Sequence, residues 1–157
     1  MAATDPSDER RWTRGERIVV VSGALLAADL LLLPWHHFSI GKEFAEFGVT
    51  LPTFTYNRTG VQNPQAFFGM SALLVSLAMV GQIFAAKVSA AVPRLEQAHL
   101  VAGPVVLGLV LAKLLANNNF LGPGAWAGSV LAAGVAYGGF LLSQESPAPE
   151  TSTAPPG

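Results

Sequence analysis

Asp29 stands inside an apolar run that reads Ala28-Asp29-Leu30-Leu31-Leu32-Leu33-Pro34-Trp35-His36-His37-Phe38. A carboxylate among leucines can couple proton or cation movement, and neighbouring imidazoles can shuttle protons or hold a metal. Lys113 and His99 are the other ionisable groups set within or at the ends of apolar segments. The chemistry open to the chain depends on which of these groups can meet.

Six residues separate Asp29 from Trp35, so a helix places the carboxylate roughly 9 Å below the outer end of its segment. Lys113 lies four residues before Asn117, roughly 6 Å deep in a segment of the same direction. A charge at the bilayer centre costs about 2.5–3.5 kcal/mol on insertion scales, less near the interface. An intramembrane charge pair between Asp29 and Lys113, locking the first and third helices, is therefore the preferred expectation. The alternatives are Lys113 snorkelling alone and Asp29 acting as a proton- or cation-coupling group.

Adjacent side chains on a helix or strand point apart, so His36 and His37 are poorly placed to hold one metal. Asp29 is roughly 10 Å from His36 by helix rise, too far to share an ion. Trp35 reads as an aromatic anchor at the membrane edge and Pro34 as the helix stop. Trp35, His36 and His37 are thus expected as interfacial polar residues facing water or headgroups. His99, three residues after Glu96, starts the third segment on the opposite side. A haem held by two histidines would need both at one depth, so no haem is expected. No nucleophile–base pair, glycine-rich phosphate loop or HExxH motif occurs. No catalytic residue, metal or cofactor is expected, and the chain reads as a non-enzyme.

The composition agrees. Of 157 residues, 51% are hydrophobic and only 12% are charged, about half the usual charged share of a soluble domain. A net charge of −1 without a basic cluster points away from nucleic acid. The absence of cysteine excludes disulfides, thiol catalysis and thiolate-held metals. Arginine outnumbers lysine six to three, and alanine, glycine and proline are plentiful, as in GC-rich bacterial genomes.

Four apolar segments approach the roughly 20 residues that cross a bilayer core. They cover about 18–35, 66–86, 98–115 and 125–142, and each reads as a helix because an isolated strand leaves its backbone unsatisfied in lipid. The first resembles a signal peptide, but the leucine run 30–33 continues past Ala27-Ala28, and it reads as an uncleaved span. The fold class is then an all-α membrane protein, a four-helix transmembrane bundle covering 18–142. Residues 1–17 form a cytoplasmic segment. With the N-terminus inside, six basic residues (Arg10, Arg11, Arg14, Arg17, Lys87, Arg94) face the cytoplasm and three (Lys42, Arg58, Lys113) face out. A multi-pass protein of the cell membrane with both termini cytoplasmic is expected.

The outer loop 36–65 is the one loop long enough to fold. In "GVTLPTFTYNRTG", Thr50, Phe54 and Tyr56 alternate with Val49, Leu51, Thr53 and Thr55, a strand-like pattern that Pro52 confines to an edge. Paired with Phe38-Ser39-Ile40, it predicts a small extracytoplasmic β-hairpin-like cap. The tail 143–157, rich in proline and without large aliphatic residues, reads as disordered and cytoplasmic.

The fourth segment carries Gly124/Gly128 and Gly134/Gly138 at GxxxG spacing. Gly124, Gly128, Ala132 and Gly139 make one small-residue stripe. Such faces let helices approach closely, within a bundle or between subunits. Gly103-Pro104 predicts a kink in the third segment.

The motifs "ADLLLLPWHHF", "TGVQNPQAFFG", "AHLVAGPVVLGLVLAKLL" and "GAWAGSVLAAGVAYGGFLLSQE" resemble those of small four-span membrane proteins of actinobacteria. The resemblance covers roughly residues 17–145 and implies topology, with no activity attached. Small multidrug-resistance transporters also have four helices and a carboxylate in the first, but this chain departs from them in its long outer loop and its charge bias. The expected function is an accessory or assembly subunit of the lipid bilayer that binds a membrane-protein partner, or further copies of itself, through its small-residue helix face and outer loop. The alternative is a small oligomeric proton-coupled transporter using Asp29.

Overall fold

The structure, a computed structural model, describes residues 12–40, 48, 54–63, 65–89, 91–93, 95–116 and 121–145. Helix α1 spans Arg14–Leu32 and opens on a capping box. Thr13 Oγ1 accepts the Glu16 N–H at 3.2 Å, and Glu16 Oε2 accepts the Thr13 N–H at 2.8 Å. These bonds satisfy donors that the first turn would otherwise leave open. The helix ends at Leu33, whose extended backbone (ψ 147°) is the conformation a following proline favours. Strand β1 (Pro34–Ile40) and strand β2 (Phe54–Thr59) follow. Helices α2 (Ala66–Val88), α3 (Glu96–Ala116) and α4 (Pro123–Glu145) complete the chain.

Each helix packs antiparallel beside its sequence neighbour, and α4 closes the ring against α1. Ser76 Oγ on α2 donates to the Gly23 carbonyl on α1 at 3.4 Å. The Gly15 N–H at the start of α1 donates to the Glu145 carboxylate at the end of α4, at 3.2 and 3.1 Å to its two oxygens. The first and last turns of the bundle therefore share one end, and the β-sheet occupies the other. Val19, Leu26, Leu30, Val106 and Val135 are fully buried between the helices.

Three helices, α2, α3 and α4, are long and apolar enough to cross a membrane. Much of their apolar surface faces outward, including Phe67, Leu74, Val101, Leu115 and Val130. Helices apolar on all sides belong in a large core or in lipid, so the fold is that of a membrane protein. The first segment differs from the expectation of four comparable spans. Its helix starts earlier, at Arg14, and ends sooner, at Leu32, while Pro34 and Trp35 belong to β1. Arg14, Glu16 and Arg17 in the first turn and Asp29 in the last interrupt its apolar run.

The expected two-stranded cap is present. β1 and β2 pair antiparallel, with Phe38 opposite Tyr56, Ser39 opposite Thr55 and Ile40 opposite Phe54. β2 begins at Phe54, later than the alternating pattern implies; Val49 to Thr53 lie outside the described residues. Helix α4 runs on to Glu145, taking in part of the expected tail. The rest of that tail and the first eleven residues also lie outside the described residues.

Candidate functional site

Pro34 pairs with Thr59 and His36 with Arg58, leaving Trp35 as an extra residue in the ladder. A bulge of this kind turns consecutive side chains away from simple alternation. Trp35 and His36 are both buried, at 0% and 1% exposure. The Trp35 carbonyl accepts the Gly122 N–H at 2.8 Å, and His36 forms an isolated bridge with Leu121, so the bulge is clamped by the segment leading into α4.

The Trp35 indole lies in a cradle of glycines. A Cβ on Gly124 would stand 2.8 Å from Trp35 Cδ1, and one on Gly128 would stand 2.5 Å from Cζ2. From the turn that follows β2, a Cβ on Gly60 would stand 2.9 Å from Nε1. Only residues without side chains admit the ring at this depth. Held there, Trp35 Nε1–H donates to Asp29 Oδ2 at 3.0 Å. Asp29 is itself 3% exposed, and its second oxygen, Oδ1, has no hydrogen-bond partner among the described residues. An unsatisfied buried polar atom costs about 1–3 kcal/mol, so the arrangement stores a free acceptor.

For the charge pair expected of Asp29 and Lys113, the structure shows Asp29 bonded to Trp35 and Lys113 reaching the turn before α2. Lys113, fully buried, donates from Nζ to the Gln62 carbonyl at 3.3 Å and the Gln65 carbonyl at 3.2 Å. These carbonyls belong to the turn entering α2, where Gln65 takes a left-handed φ of 52°. The lysine ties the end of α3 to that turn through these two backbone carbonyls.

Trp35 and His36 also depart from the expected interfacial setting. The bulge folds them into the bundle, and of the three only His37 stays exposed, its Nδ1 2.8 Å from Asn57 Oδ1. The helix-packing residues of α4 are occupied inside the chain. Beyond the Trp35 seat, Gly134 and Gly138 meet Ser22 and Val19 of α1, while Gly139 meets the His99 carbonyl of α3. Ala132 is fully buried. The small residues of α4 thus pack against α1, α3 and the start of β1.

The opposite end of the bundle holds a second polar group. Lys87 of α2 pairs with Glu16 of α1 at 2.7 Å. His99 is buried, with Nδ1 2.9 Å from the Leu95 carbonyl and Nε2 3.3 Å from the Met79 carbonyl. A cavity of about 60 Å³, enough for a few waters, lies among Thr13, Glu16, Gln82, Glu96, His99 and Glu145. Reading spans alone misses the Glu16–Lys87 pair. The Thr13-x-x-Glu16 pattern before an apolar run announces the cap, but nothing local names Lys87. No group of three or more His, Asp or Glu side chains is arranged to hold a metal among the described residues.

Chemically, the Asp29–Trp35 pair offers a carboxyl group with one fixed and one open oxygen, walled by apolar side chains. It can hold a proton or accept a hydrogen bond from a cation. Comparison with known protein families, curated proteins and solved structures finds no match to this chain. The likeness to small actinobacterial four-span proteins rests on the quoted motifs alone.

Proposed function

We propose that the chain is a four-span integral protein of the cell membrane, with both termini cytoplasmic, that works without catalysis as an accessory or assembly subunit for a membrane-protein partner. The observation that carries this reading is the closed interior: Leu26, Leu30, Val106, Val110, Ala132 and Val135 are buried where a conduit would run. A bundle filled this way favours binding over passage. α1 counts as the fourth span because its 19 residues extend roughly 28 Å, close to the roughly 30 Å of a bilayer core. Its buried Glu16 is also paired with Lys87.

With the glycine face of α4 covered, one surface open to a partner is the sheet end, where Phe54 and Tyr56 are exposed and Arg58 stacks over Tyr56 at 5.0 Å. The test is purification from the native source in mild detergent, with mass spectrometry of the intact particle. A reproducible stoichiometric second protein supports the reading; a particle of this chain alone contradicts it.

The open Oδ1 of Asp29 favours a second reading, a small oligomeric proton-coupled carrier in which Asp29 takes up and releases the coupling proton. In that case Asp29→Asn abolishes transport in proteoliposomes while protein level is unchanged. Unchanged transport in the variant would end this alternative.

A further inference from the structure

Strand β2 pairs with β1 along one edge, and among the described residues no strand lies along the other. Its first four residues, Phe54 to Asn57, are exposed. Proteins blunt such an edge with proline or lysine, and β2 contains neither. A two-stranded ribbon is marginal in water, and a third strand steadies it.

Tyr56 and Arg58, two positions apart, share one face of the strand. Beside them lies an open recess of about 360 Å³, lined also by Val61, Gln62, Asn63 and Ala66. Arg58 supplies the one charge of that lining. Its guanidinium is held by the Asn63 carbonyl, 2.8 Å from Nη1, and lies 5.0 Å from the Tyr56 ring centre. Arginine carries five N–H donors in a fork that matches a carboxylate, so the bond to Asn63 leaves most of them to a ligand. Ala66 opens α2, whose first turn holds no acidic residue to compete.

We infer that β2 takes up an extended acidic segment of a partner protein as a third strand, with an aspartate or glutamate of that segment paired to Arg58 in the recess. The strand edge supplies backbone hydrogen bonds that any sequence can make, and the side-chain recess supplies the selection. Opposite charges facing each other across adjacent strands stabilise the pairing, and like charges weaken it. A second copy of this chain fits the edge less well, because Phe54–Thr59 brings no acid to meet Arg58. This inference rests on the accessory-subunit reading and gives the chemistry of the partner.

The test is fluorescence anisotropy of the labelled heptapeptide TVTETVT, titrated with the full chain in nanodiscs of neutral lipid, with empty nanodiscs as reference. Saturable binding of one peptide per chain is expected. Replacing the central glutamate by glutamine should weaken it about tenfold, and N-methylation of alternate peptide nitrogens should abolish it. Arg58→Gln should erase the preference for glutamate. Arg58→Glu should turn the preference over to the lysine peptide TVTKTVT, a reversal that loss of fold does not produce. A wild-type titration indistinguishable from empty nanodiscs overturns the assignment. So do equal binding of the glutamate and glutamine peptides, undiminished binding of the N-methylated one, or a glutamate preference that survives Arg58→Gln. The titration reads the strand edge alone, while purification from the native source reads whether a partner is present, so either can fail without the other.

Discussion

The Trp35 indole donates to Asp29 across the break at Pro34, joining the first residues of β1 to the last turn of α1 with a 3.0 Å hydrogen bond. Neither residue is solvent-facing. The bond fixes how the sheet sits on the bundle.

Removing the donor should therefore destabilise the fold. Trp35→Phe leaves both Asp29 oxygens without a partner and shrinks the ring in its seat. A loss of about 2–4 kcal/mol is expected from the orphaned carboxyl and the cavity together. Asp29→Asn keeps an acceptor and should cost less than about 1 kcal/mol. In the double variant Trp35→Phe/Asp29→Leu, part of the loss should return, because both partners are then apolar. Unfolding in detergent, followed by circular dichroism, ranks the three.

Gly128→Ala should be damaging for a reason unrelated to dimerisation. Its Cβ would stand 2.5 Å from Trp35 Cζ2 and 2.7 Å from Asp29 Oδ2, and overpacking of this kind costs about 1–3 kcal/mol. Gly108→Ala meets nothing within 4 Å and should be neutral or stabilising by up to about 1 kcal/mol, through helix propensity. Light scattering should show the same particle mass for Gly128→Ala and wild type. A change in mass with unchanged stability would return the GxxxG motif to a subunit interface.

Lys113→Met should remove the donor to the Gln62 and Gln65 carbonyls and cost about 1–3 kcal/mol. With Asp29 bonded to Trp35 and Lys113 to the two carbonyls, adding Asp29→Asn should be additive within about 0.3–0.5 kcal/mol. Recovery of stability in the double variant would show that the two charges do interact.

At the far end, Thr13→Ala should cost about 0.5–2 kcal/mol by removing the cap of α1. Glu16→Gln should also lose the Lys87 ion pair. A double-mutant cycle with Lys87→Gln should give a favourable coupling that falls only slightly with added salt, since the Glu16 and Lys87 side chains are largely buried. Zero coupling at low salt would show that the cap alone matters.

Much of the architecture is legible in the residues. Three apolar runs of bilayer length become α2, α3 and α4, and Phe38-Ser39-Ile40 is the strand that pairs with Phe54, Thr55 and Tyr56. The surroundings of Asp29 are not legible. Depth along a helix axis can be counted from sequence, but rotation about that axis cannot. Similar depth is why the residues suggest pairing Asp29 with Lys113, but depth gives no hint of the bonds from Trp35 to Asp29 or from Lys113 to the Gln62 and Gln65 carbonyls. The bulge at Trp35 has no local signature either, because the clamp from Leu121 and Gly122 lies far along the chain. The glycines of α4 announce close packing without saying that an indole, and not a second helix, fills the space over Gly124 and Gly128.

Single-cysteine labelling tests the central claim most directly, since the chain has no native cysteine. Thr55 on the sheet and Arg14 and Gln144 at the other end are all exposed. With intact cells and a membrane-impermeant maleimide, Thr55→Cys should label at once, and Arg14→Cys and Gln144→Cys only after permeabilisation. Labelling of Arg14→Cys and Thr55→Cys from the same side would remove α1 from the membrane and contradict the four-span account.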